Sequence, residues 1–123
     1  MTDTSLRDRL RQALPTAMKA RDRPAVSALR ATLAALDNAE AVVPAEGSSR
    51  GQAIEEAPVG VGATEVARRL LGEDDVLRIV RAEAEERERA AAEYQALGRE
   101  DRAGQLIAEA TVLRSHLGGD GSA

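Results

Sequence analysis

A core for this chain has to be built almost without aromatic side chains. Phe, Trp and Cys are absent from its 123 residues and Tyr94 is the single aromatic, so burial falls to Leu, Val, Ile, Met and many Ala. Alanine removes little apolar area from water, so such a core implies closely spaced helices and modest stability. The missing cysteines exclude a disulfide framework, a thiolate nucleophile and a cysteine-based zinc site. The length suits one domain.

Helical periods dominate the readable parts of the chain. Leu6, Leu10, Leu14 and Met18 recur at helical spacing with Ala13 and Ala17 beside them, which predicts a first helix capped by Thr4 or Ser5. Pro15 lies inside that pattern, removes a backbone donor and crowds the carbonyl of Arg11, so a kink is expected there. Asp22 followed by Pro24 is a helix start. From it a second helix runs to about Ala41, with Val26, Leu29, Leu33 and Leu36 as its apolar face.

From about 42 to 71 the period is lost among Pro44, Gly47, Ser48, Ser49, Gly51, Pro58, Gly60 and Gly62. A long flexible loop is the expectation, as a plain linker or as a partner-binding element. After Gly72 the acidic residues Glu73, Asp74 and Asp75 suit the positive end of a helix dipole. The helix they open carries Val76, Val80 or Ile79, Ala84, Ala91, Tyr94 and Leu97 toward the core. Asp74 with Arg78, Glu83 with Arg87 and Glu85 with Arg89 are favourable pairs four apart. Gly98 closes it. A final helix from about Glu100 to Leu117 presents Ala103, Leu106, Ile107, Ala110, Leu113 and Leu117, before a glycine-rich tail over 118–123 that is expected to fray. The fold class is therefore an all-α antiparallel bundle of about four helices, with one long irregular loop between the second and third.

A formal net charge of -4 argues against bulk nucleic-acid binding. Basic residues nevertheless outnumber acidic ones in the first 30 residues, and the later helices lean acidic. The amino terminus has no apolar h-region and no stretch approaches the roughly 20 apolar residues needed to cross a bilayer. The cytoplasm is the expected compartment, with no membrane contact.

Catalytic, cofactor and metal signals are mostly negative. His116 is the only histidine, and it reads as an exposed helix-end residue. Ser115 beside it points about 100° away and makes no triad. Glu83, Glu86 and Glu93 could share a face, but no Glu-x-x-His motif accompanies them, so they read as surface charges. Gly60 and Gly62 lack the strand and the Lys-Ser or Lys-Thr of a phosphate loop. Neither catalytic residues nor a cofactor are assigned.

Arg30 sits between Leu29 and Leu33 and has two readings. In one, its guanidinium crosses the seam to an acid such as Glu83 or Glu93 and holds the helices in place. In the other, Arg21, Arg23 and Arg30 form a recognition patch for an anionic partner, an RNA phosphate or an acidic protein surface.

Four runs, Lys19-Ala20-Arg21-Asp22, Val26-Ser27-Ala28-Leu29-Arg30, Asp37-Asn38-Ala39-Glu40 and Tyr94-Gln95-Ala96-Leu97-Gly98-Arg99-Glu100-Asp101, resemble the amino-terminal helical domain of GatB/YqeY-domain proteins. The resemblance covers both flanks of the 42–71 segment. It implies a kinship with tRNA-dependent amidotransferases and a family label of carbon–nitrogen ligase activity with glutamine as amido donor. Family members continue into a smaller helical domain like the tail of the GatB subunit, which is linked to tRNA contact; after Leu117 no counterpart is expected here. The function expected is an accessory or interaction module without catalysis of its own. An RNA- or tRNA-binding module, or a component that assists amide transfer when assembled with partners, is the alternative.

Overall fold

A computed structural model describes residues 4–41 and 70–121, with the side chains of 119–121 left aside. Four helices make up the described chain: α1 (Leu6–Ala20), α2 (Arg23–Ala41), α3 (Glu73–Ala96) and α4 (Glu100–Gly121). No strand occurs among the described residues, and no helix there is long and apolar enough to cross a membrane. The expected 42–71 loop falls, apart from Leu70 and Leu71, outside the described residues.

The helix ends follow from local chemistry. The Ser5 hydroxyl accepts the Asp8 N–H at 3.1 Å and caps α1. The Asp22 carboxylate accepts the Ala25 N–H at 3.2 Å and starts α2 one residue before Pro24 joins its first turn. At α3 the cap residue is Gly72, whose N–H donates to the Asp75 carboxylate at 3.1 Å. Glu73 reaches across the bundle and accepts the Leu6 N–H at 3.1 Å, tying the start of α3 to the start of α1. Between α3 and α4, Gly98 takes a φ of 77° while the Gly98 and Arg99 N–H groups return to the Gln95 and Tyr94 carbonyls. That is the Schellman arrangement, and glycine adopts it without a Cβ penalty.

Two antiparallel hairpins, α1–α2 and α3–α4, pack into the bundle. The larger core joins Leu6, Leu10, Leu29, Leu36, Val76, Val80 and Leu113 with Ala17, Ala25, Ala28 and Ala84. A smaller cluster of Ala91, Ala103 and Leu106, flanked by Ala90 and Tyr94, lies toward the α3–α4 turn. Alanine is as frequent as leucine among these buried side chains, so close helix approach replaces aromatic bulk.

Several sequence expectations need adjustment. Met18 is 47% exposed, and Ala17 takes the buried position. Steps of four residues drift by about 40° each, so Met18 lies about 120° from Leu6, whereas Ala17 comes back to within about 20°. Ile107 is exposed, and so is Leu97, which lies just past the end of α3 at Ala96. On α2, the unanticipated Ala25, Ala28 and Thr32 are buried, while Val26 and Leu33 lie only at the margin. Pro15, the residue expected to kink α1, lies inside it on its exposed side, and the helix is continuous from Leu6 to Ala20. Of the tail expected to fray over 118–123, the part to Gly121 belongs to α4, and 122 and 123 lie outside the described residues.

Candidate anionic-partner contact site

The corner between α1 and α2 consists of only Arg21 and Asp22, and its geometry aims charge outward. Asp22 N–H donates to the Ala17 carbonyl at 3.0 Å and Arg21 N–H to Met18 at 3.1 Å, again the Schellman pattern. Here the left-handed position is held by an arginine, with a φ of 59°. A side chain in that region costs about 1 kcal/mol relative to glycine. The Asp22 carboxylate is engaged in capping Ala25.

Beyond the corner, spacings of three and four residues link Arg23 to Val26 and Ser27, Val26 to Arg30 and Ser27 to Ala31, so these five form one stripe along α2. Arg30 is rotated about 140° from Ala25 on the core side. With Met18 and Arg21 this stripe lines an open groove. Its floor is apolar or small, from Met18, Val26 and Ala31, and its rim carries three guanidiniums, each with five donors suited to a carboxylate or a phosphate.

The three predicted arginines are thus brought together, and none of them makes an ion pair among the described residues. The expected bridge from Arg30 to Glu83 or Glu93 does not form, because Arg30 is exposed on the opposite side of α2 from the seam. Glu83 instead accepts Arg87 at 2.8 Å.

The seam is held by a different arginine. Arg87 donates through Nε to Glu109 at 2.9 Å and through Nη1 to Glu83, and Gln105 donates to the second Glu109 oxygen at 2.9 Å. Glu109 is 5% exposed. Burial works against the charge of Arg87, but its hydrogen bonds to Glu83 and Glu109 outweigh burial and raise its pKa. At the other end of the bundle Arg7 bridges Glu40 at 2.9 Å and Asp37 at 2.8 Å. The Glu40 hydrogen bond outweighs desolvation and raises the Arg7 pKa. On the surface Arg78 pairs with Asp75, in place of the expected Asp74, and Arg114 pairs with Glu88.

None of the remaining sequence candidates lines this groove itself. Glu83, Glu86 and Glu93 do not converge, and no group of three metal-capable side chains exists among the described residues. His116 is half-buried, in contrast to the exposed position expected for it. Burial first and the charge of Arg9 second push its pKa down, and Arg9 donates to the His116 carbonyl at 3.1 Å. The groove offers one hydroxyl, Ser27, with no histidine or carboxylate lining it. The lining side chains can offer charge and apolar contact to a bound group. No protein-family model, no curated protein and no solved structure matches the chain.

Proposed function

We propose that this chain is an accessory module, without catalysis of its own, that docks on a partner presenting negative charge to Arg21, Arg23 and Arg30. The observation that carries the reading is that these three guanidiniums share one groove and none is consumed by an ion pair among the described residues. Arg7, Arg78, Arg87 and Arg114 are each so consumed. Two of the four runs that resemble GatB/YqeY-domain proteins supply Arg21 and Arg30. By that resemblance the partner is a component of tRNA-dependent amidotransferase assemblies. A tRNA is the second reading, because phosphates accept the same bidentate hydrogen bonds.

The test immobilises the full chain and passes amidotransferase subunits and tRNA over it at about 50 and 200 mM salt, a range over which phosphate contacts weaken steeply. Retention of a subunit that disappears in the Arg21→Gln, Arg23→Gln, Arg30→Gln variant is the expected result. Equal retention by that variant would remove the arginines from the contact.

A further inference from the structure

The groove does not end at the three arginines. Ser27, which lines it, also lines a notch between α2 and the α3–α4 hairpin, together with Glu86, Ala90, Arg102 and Leu106. Through Ser27 the groove adjoins that notch, and we treat the two as one lane leading from a basic end, over Met18 and Val26, to the carboxylate of Glu86 and to Arg102. Glu86 has no ion pair among the described residues, and Arg102 engages the Tyr94 ring at 5.8 Å.

Resting on the docking reading above, we infer that the lane takes an acidic amphipathic helix of a partner protein, with nucleic acid disfavoured. Four features select this occupant. Arg21, Arg23 and Arg30 demand negative charge at one end. Met18, 47% exposed, offers an unbranched apolar side chain that adapts to a partner's hydrophobic residue, with Val26 and Ala31 beside it as a floor for helix-in-groove binding. The sign of charge then alternates along the lane, so a polyphosphate following it would meet Glu86. The Arg21 groove also has no aromatic ring on which a base could stack; the chain's one aromatic, Tyr94, is on the hairpin. The helix that fits carries carboxylates opposite the three arginines, an apolar residue over Met18, and a basic residue at the level of Glu86.

Met18 and Met1 are the only methionines, so methyl-labelled protein gives a direct reporter of the groove. Three probes are titrated into the full chain: a peptide of about five helical turns with that Glu, Leu and Lys pattern, its scrambled counterpart, and tRNA. The patterned peptide is expected to shift the Met18 methyl signal and the scrambled one to leave it in place. Binding should weaken about tenfold or more in the triple arginine-to-glutamine variant and severalfold in Met18→Ser, since buried anchor contacts dominate such interfaces. A Glu86→Lys change should weaken the patterned peptide and strengthen tRNA. Salt-dependent tRNA binding indifferent to Met18→Ser, with no response to the peptide, would overturn the helix proposal while leaving the anionic contact standing. Self-association abolished by the triple variant would also overturn it, in favour of a second copy. Silence to every probe would overturn this inference, and the docking reading would stand or fall by retention of a subunit on the immobilised chain.

Discussion

The α3–α4 seam and the α1–α2 corner both place arginines beside apolar residues, yet they use them in opposite ways. Arg87 is drawn into the seam, with a side chain 12% exposed and two carboxylates on it. Arg21, Arg23 and Arg30 stand outside, exposed and without such partners among the described residues. The difference comes from angle around the helix, which neighbourhood in sequence hides. Arg87 follows Val76 by eleven residues and returns to within about 20° of it, so it lies on the core stripe of α3. Arg30 adjoins Leu29 in sequence and is turned about 100° from it. An arginine on the core stripe needs carboxylates to offset its desolvation; one on the far side keeps its donors for something else.

The largest effect expected from this contrast is at Arg87. Replacing it with Gln leaves Glu109 buried without its cation, and urea unfolding should show a loss of about 3 kcal/mol, the scale for breaking a buried pair from one side. A loss under about 1 kcal/mol would mean that the seam does not depend on the pair. Thr32 offers the reverse case. Its hydroxyl is buried in α2 with no hydrogen-bond partner, so Thr32→Val should raise stability by about 1 kcal/mol. A destabilised variant would show that the hydroxyl is satisfied in solution.

At the corner itself, Arg21→Gly removes a side chain from the left-handed region. It should stabilise the chain by about 0.5–1 kcal/mol while weakening partner binding. That opposition is what a strained residue retained for binding would give, and loss of stability on the same change would refute it. The smallest effect is at His116. Its folded pKa is held below the ordinary 6.5 by burial and then by Arg9. The unfolded chain therefore takes up the proton first, and the contribution of neutral His116 is complete above 6.5 and declines as pH falls below it. His116→Gln should flatten that part of the stability profile, and an unchanged profile would place the titration elsewhere.

Much of the fold was legible in the sequence, because periods, caps and breakers are local. Asp22 with Pro24, the acidic start at Glu73 to Asp75 and Gly98 each mark a boundary that the chain uses. The groove was legible as residues, but its freedom was not. Adjacency to Leu29 pointed Arg30 at the seam, whereas counting rotation from the buried Ala25, Ala28 and Thr32 points it outward. The Arg87–Glu109 contact joins residues on different helices, and only its local half, Glu83 with Arg87, could be read from spacing. Glu109 beside the buried Ala110 was the available signal, since a carboxylate on a core stripe implies a buried cation. Met18 ends a run of four-residue steps whose cumulative drift carries it off the core stripe.

Docking through Arg21, Arg23 and Arg30 requires that they carry no structural duty, and urea unfolding of the Arg21→Gln, Arg23→Gln, Arg30→Gln variant measures this. Exposed residues without ion pairs predict an unfolding free energy within about 0.5 kcal/mol of the unsubstituted chain. A loss of more than about 1.5 kcal/mol would show that the three arginines hold the bundle together, which contradicts a free docking surface.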